Sequence, residues 1–155
     1  MWNRQTSAEY ESAKGEPNRT ALEALVMAGH IPGLLAYRAG EPVGWVSLGP
    51  REVFGRLGRS RVTKPVDDTP VWSVTCFVVD RAHRGTGVAS ALLDAAVGFA
   101  GENGAVAIEG YPVEPRSDEM PPIYAWMGLA TMFTRAGFSE IARRSETRPL
   151  MRLML

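Results

Sequence analysis

The sequence contains a single cysteine, Cys76, and only two histidines, His30 and His83. One thiol excludes an internal disulfide framework, and with so few soft ligands a zinc site has nothing to be built from. An excess of one charge is also missing. Seventeen Lys+Arg stand against seventeen Asp+Glu, for a formal net charge of zero, which removes the general electrostatic case for nucleic acid or an anionic membrane as partner. No apolar run approaches the roughly 18 residues of a membrane span, and the opening MWNRQTSAEYES lacks the apolar core of a secretory signal. A Gly-Lys pair is absent, so no P-loop can form. What is present is 155 residues, 45% hydrophobic and 22% charged, which predicts one domain over 1–155 in a reducing, cytoplasmic setting.

Along the chain, residues 4–14 are polar with weak periodicity and predict at most a short, exposed helix. Pro17 and Asn18 open a better one, in which Ala21, Leu22, Ala24, Leu25 and Met27 form an apolar stripe that Gly29 closes. Two short apolar runs, 33–38 and 43–48, flank an Ala-Gly-Glu-Pro turn and read as a hairpin. Residues 50–70 break all periodicity and carry Arg51, Arg56, Arg59, Arg61 and Lys64. They read either as a solvated loop with a short helical turn or as a basic rim for an anionic ligand.

The run VWSVTCFVV (71–79) has the composition of a strand buried on both faces. A helix follows with Val88, Leu92, Ala95, Ala96 and Phe99 at helical spacing, then a strand over 105–113, so the centre of the chain is a β-α-β unit. Residues 114–123 form a proline-rich polar loop whose Glu114, Asp118 and Glu119 favour a cationic ligand. A helix over Tyr124–Arg135, stopped by Gly137, leads to a closing pair of strands, Phe138–Ala142 and Pro149–Leu153.

The chemistry concentrates between the first central strand and its helix, in Arg84-Gly85-Thr86-Gly87-Val88-Ala89. Glycines there let main-chain N–H groups approach a ligand, and the helix N-terminus adds partial positive charge, which together suit a phosphate or pyrophosphate. A dinucleotide fingerprint fits less well. Ser90 replaces its third glycine, and the residues DRAHR separate the strand from Gly85.

That segment resembles the Arg/Gln-x-x-Gly-x-Gly/Ala signature of the GCN5-related N-acetyltransferase (GNAT) superfamily. Ala136-Gly137-Phe138 is similar to the Gly-Phe turn before that family's last two strands, and the element order agrees from residue 17 onward. The resemblance implies an α/β acyl-CoA acyltransferase fold: a mixed, mostly antiparallel sheet around the β-α-β unit, with helices on both faces. Residues 1–16 show no strand pattern, so the family's first strand is expected to be missing. An exposed sheet edge would then invite a homodimer.

The resemblance further implies that acetyl-CoA is bound, with its pyrophosphate on Arg84, Gly85, Thr86, Gly87, Val88 and Ala89 and its pantetheine arm along Phe77, Val78 and Val79. It implies acetyl transfer to a primary amine, with no metal. A non-catalytic acyl-CoA-binding module on the same fold is the alternative. The family's usual acid, a tyrosine four residues before the Gly-Phe glycine, is here Phe133. The acid is then Tyr124, Tyr111 or water, or the thiolate leaves without help. Glu109, a lone acid in an apolar strand, reads either as the base, directly or through water, or as an outward-facing surface glutamate. Ser73 and Thr75 are suited to holding a water. Cys76 reads as a small core residue, and Trp45, Trp72 and Trp126 read either as core or as walls of an acceptor pocket.

Overall fold

The computed structural model describes residues 1–116 and 122–155. The N-terminal segment forms two helices, α1 (Ser7–Ser12) and α2 (Glu16–Met27), and no strand. Thr6 and Glu9 close a reciprocal capping box on α1, which buries none of its residues. The apolar stripe expected of α2 is only loosely used: Leu22 and Leu25 are half-buried while Met27 is 81% exposed.

Six strands make one sheet in the order β1-β2-β3-β4-β6-β5, comprising β1 (Gly33–Arg38), β2 (Glu41–Pro50), β3 (Trp72–Val79), β4 (Ala107–Gly110), β5 (Ser139–Arg143) and β6 (Pro149–Met154). All neighbours are antiparallel except β3 and β4. The β1–β2 turn is tighter than expected. Ala39 and Gly40 both take positive φ, the twist a two-residue hairpin requires, and Pro42 is already in the strand. Residues 51–59 supply a 3-10 turn and α3 (Gly55–Arg59), which bury Phe54 and Leu57.

Helix α4 (Val88–Glu102) packs across β1, β2 and β3, burying Leu92, Leu93 and Ala96 against Val46, Leu48 and Val74. A second cluster of Phe54, Leu57, Tyr111, Met127 and Leu150 is built from residues that alternate with these along β6, and so lies on the opposite face. Two expected elements are cut short. β4 spans four residues rather than 105–113, because the Ala105 N–H is still bonded to the α4 carbonyl of Ala100 and Pro112 has no N–H to continue a ladder. The helix expected over Tyr124–Arg135 breaks at Gly128, whose φ of +86° is left-handed. A 3-10 turn (Pro122–Ala125) precedes that break and α5 (Ala130–Arg135) follows it.

Phe133 stands in α5 fully buried, edge-on to both Phe77 and Phe138. A Cβ placed on Gly110 would run into the Phe133 ring, and the two flanking phenylalanines leave that ring nowhere to go. Gly110→Ala is therefore expected to destabilise by about 1–3 kcal/mol through overpacking, which a thermal melt measures directly.

Candidate active site

The parallel pairing of β3 and β4 ends at Val74 and Gly110. Beyond it the strands diverge, and residues 126–128 stitch the opening. The Trp126 carbonyl accepts from the Phe77 N–H at 2.7 Å, and the Gly128 carbonyl accepts from the Val113 N–H at 2.9 Å. Gly128 is confined there, since a Cβ would come within 2.7 Å of the Phe133 ring.

Across β2, strand β3 carries a bulge in which Thr75 and Cys76 together oppose Ser47. A bulge re-aims side chains, and here it turns both Thr75 and Cys76 toward one face, where they line a pocket of about 290 Å³. The main-chain carbonyl of Thr75 accepts from the buried Asn3 side chain at 3.4 Å. The Thr75 hydroxyl is buried with no hydrogen-bond partner among the described residues. Trp45, Ser47 and Trp126 contribute to the same pocket, with Trp2, Arg4 and Leu22 arriving from the N-terminal segment. Burial pushes the Cys76 thiol up from its usual range, so it is poorly suited to act as a nucleophile.

Phe77 points to the other face. There a cleft of about 540 Å³ runs along Phe77, Val78 and Val79 to Arg84 and Ala89, and Trp126 forms part of its wall too. Arg84 Nε donates to the Val79 carbonyl at 3.2 Å. The Phe77 N–H and Val79 carbonyl therefore face away from β2, as a strand edge open to a ligand requires, but both already have protein partners. At the cleft's end Gly85 and Gly87 take φ of +74° and +85°, and a Cβ on either would meet nothing within 4 Å among the described residues. The loop is thus a shallow open cradle at the start of the 15-residue α4, its N-cap being Gly87. Asp80 shapes the approach by accepting from the Ala82 N–H at 2.9 Å, and Thr86 Oγ1 donates to the His83 carbonyl at 2.8 Å.

The acid and base candidates lie elsewhere. Glu109 is 1% exposed and held on both oxygens. Arg152 donates to Oε1 from Nε and Nη2 at 3.0 and 2.7 Å, while Arg51 and the Tyr111 hydroxyl donate to Oε2. Arg152 also clasps Asp67 at 2.8 and 3.0 Å, which holds the Asp67 carboxyl well below the usual range. Arg51 bonds the Tyr111 hydroxyl and the Thr63 carbonyl. Arg51 is thus no part of a basic rim. With Glu109, Arg152, Asp67 and Tyr111 it forms a buried polar network. Burial, reinforced by the Glu109 carboxylate, holds the Tyr111 phenol well above its ordinary value, and its oxygen is also bonded to Ser73 at 2.9 Å. Tyr124 is 57% exposed and lines neither cleft. Trp72 packs on Phe99 and lies outside both. Glu114 is ion-paired to Arg143 at 2.5 Å, and Asp118 and Glu119 lie outside the described residues.

Sequence reasoning missed the contribution of Trp2, Asn3 and Arg4, which a short polar N-terminus gave no periodic signal to reveal. The network was legible in retrospect. Glu109 interrupts one apolar strand and Arg152 another, and β4 and β6 pair those two residues directly.

A strand that parts from its parallel neighbour, a glycine cradle at the helix that follows, and pockets on both faces of the gap define an acyl-CoA acyltransferase fold. Residues 1–120 match the Acetyltransferase (GNAT) family, and the chain belongs to that family. No curated protein matches it significantly by sequence. Among solved structures it is similar to a GNAT-family acetyltransferase from Listeria monocytogenes, with a TM-score of 0.59 at 16% identity over 97% of this chain and 78% of that one. It is also similar to yncA of Salmonella typhimurium, solved with acetyl-CoA as its cofactor, with a TM-score of 0.55 at 21% identity over 89% and 72%. A ribosomal-protein-alanine N-acetyltransferase from Brucella melitensis gives 0.56 at 18% identity over 90% and 78%. At these identities the likeness is one of fold.

Proposed function

We propose that this protein is an N-acetyltransferase that moves the acetyl group of acetyl-CoA directly to a primary amine. The observation that carries this reading is the placement of two openings on opposite faces of β3. Phe77 lines one, Cys76 lines the other, and Trp126 is common to both. Acetyl-CoA would supply an activated thioester carbonyl. Main-chain N–H groups from Arg84 to Ala89 would hold its phosphates, and Phe77, Val78 and Val79 would align its pantetheine arm. The open space over Gly85 and Gly87 fits that role. Trp126 would release the Phe77 N–H as the arm pairs with the strand.

The amine would enter from the Cys76 side. Its nitrogen forms a bond to the acetyl carbon as the carbon–sulfur bond breaks, the amine's proton goes to water, and the thiolate leaves to become CoA-SH. Among the described residues no aspartate, glutamate, histidine or tyrosine lines the acceptor pocket. Glu109 has both oxygens engaged, Tyr111 is buried and Tyr124 lines neither opening, so Ser47 and Thr75 would serve by holding the amine or a water. The expected kcat/KM then rises about tenfold per pH unit toward the acceptor's own pKa, with no inflection from a general-base carboxylate or imidazole. The titrating groups at the pocket are the Met1 α-amino group, pushed down by burial, and the Cys76 thiol, pushed up by it. Thiol release from acetyl-CoA, followed across pH, checks this.

The lack of a carboxylate, imidazole or phenol among the described residues of that pocket also favours a second reading, an acyl-CoA-binding module without turnover. Tight CoA binding with no thiol release on any amine would establish it, and failure to bind CoA at all would overturn both. The single thiol suits a reducing cytoplasm. The outer strand β1, with Leu35 and Tyr37 exposed, is the edge on which a homodimer would form.

A further inference from the structure

Resting on that reading of the two openings, we infer that the acceptor is a compact apolar amine that also carries a carboxylate, such as a large aliphatic or aromatic amino acid. The pocket's size comes first. At about 290 Å³ it is at the lower end of ligand sites and suits one amino-acid-sized molecule. Its walls are dominated by Trp2, Leu22, Trp45, Phe54 and Trp126, which reward an apolar or aromatic side chain.

Charge decides the rest. Among the described residues Arg4 is the one charged side chain that lines the pocket; the Met1 α-amino group joins it, and both also border an adjoining cavity of about 660 Å³. The Arg4 guanidinium stands 4.7 Å from the centre of the Phe54 ring and makes no ion pair or side-chain hydrogen bond among the described residues. Arginines elsewhere in the interior, Arg51 and Arg152, are both paired with Glu109. Burial lowers the Arg4 pKa, the mark of a cation short of a counter-charge. A ligand carboxylate would supply that counter-charge in a two-pronged, charge-assisted contact, whereas a polyamine or a lysine-rich peptide would be repelled. The orphaned Thr75 hydroxyl is the second built-in feature. Buried polar groups without partners are rare, and this one, beside Cys76, would accept a hydrogen bond from the amine that is to be acetylated. This reading differs from the cationic ligand expected from the acidic loop over 114–123. Glu114, its one described carboxylate, is taken up by Arg143.

The test separates binding from turnover. Trp2, Trp45 and Trp126 line the pocket, so tryptophan fluorescence can report its occupancy without acetyl-CoA. Titration with 3-phenylpropionate is expected to quench, with at least tenfold tighter binding than 3-phenylpropanol or phenethylamine. Arg4→Met should erase that difference and Arg4→Lys should retain most of it. In thiol-release assays L-phenylalanine and L-leucine should exceed phenethylamine and L-phenylalaninamide at least tenfold in kcat/KM. Equal binding of the charged and uncharged probes, no binding of either, or a preference for spermidine or a lysine peptide would overturn the inference. Calorimetry with acetyl-CoA is read separately. Loss of that binding with the carboxylate preference intact would refute the acetyltransferase reading and leave an acid-binding pocket.

Discussion

Gly87→Glu is expected to weaken acetyl-CoA binding by at least about 100-fold, close to 3 kcal/mol. Gly87 is the N-cap of α4 at φ +85° and ψ −1°, a left-handed conformation in which a side-chain-bearing residue costs about 1–2 kcal/mol. Packing adds little, because a Cβ there meets nothing within 4 Å among the described residues. The fold should therefore survive. The effect on binding comes from placing a carboxylate where main-chain N–H groups and the positive end of α4 would receive phosphate. Gly87→Asn is the matched control, since asparagine tolerates the left-handed region and brings no charge. Calorimetric titration should show near-wild-type affinity in the asparagine variant and none in the glutamate variant. Equal affinities in both would move the pyrophosphate off this loop.

The cradle was readable from the sequence because its requirements are local. A buried strand, two glycines and a helix start are fixed by neighbours in the chain. The same holds for the hairpin at Ala39–Gly40 and for α4, which buries Val88, Leu92 and Ala96 of the expected stripe, with Leu93 and Ala100 in place of the exposed Ala95 and half-buried Phe99. The acceptor pocket was not readable, because its parts are far apart in sequence. Asn3 reaches Thr75 across 72 positions, Arg4 meets Phe54, and the bulge that turns Thr75 toward them depends on the register between β2 and β3. β4 was read too long for a related reason. The apolar run continues to Val113, but its later residues leave the sheet to meet residues 128–130, a partnership between segments that composition cannot report. The single acid in that strand, Glu109, is legible as an exception, since a lone carboxylate among apolar residues needs a partner. Two arginines from β6 and the turn after β2 provide it.

Glu109→Gln is expected to cost stability far more than turnover. In the wild type the carboxylate is 1% exposed while Arg51 and Arg152 keep only 10% and 11% of their side-chain surface in solvent. Removing the anion leaves both guanidinium groups buried with one neutral acceptor between them, and turns an amide N–H donor toward one of them. Breaking a buried pair in this way costs about 3–5 kcal/mol, or roughly 6–20 °C in Tm for a domain of this length. Tyr111 loses its acceptor in the same step. At temperatures well below the variant's melting point, thiol release should stay within about threefold of wild type, because no group of this network lines the acceptor pocket. Pairing the change with Arg152→Met should recover part of the lost stability, since the two residues are coupled and their effects are not additive. The opposite pattern, an unshifted Tm with turnover down 100-fold and its alkaline rise displaced, would return Glu109 to the role of base. The geometry argues for the first pattern: a carboxylate gripped by four donor groups from three side chains holds β4, β6 and the residues after β2 in register at the point where β3 and β4 part.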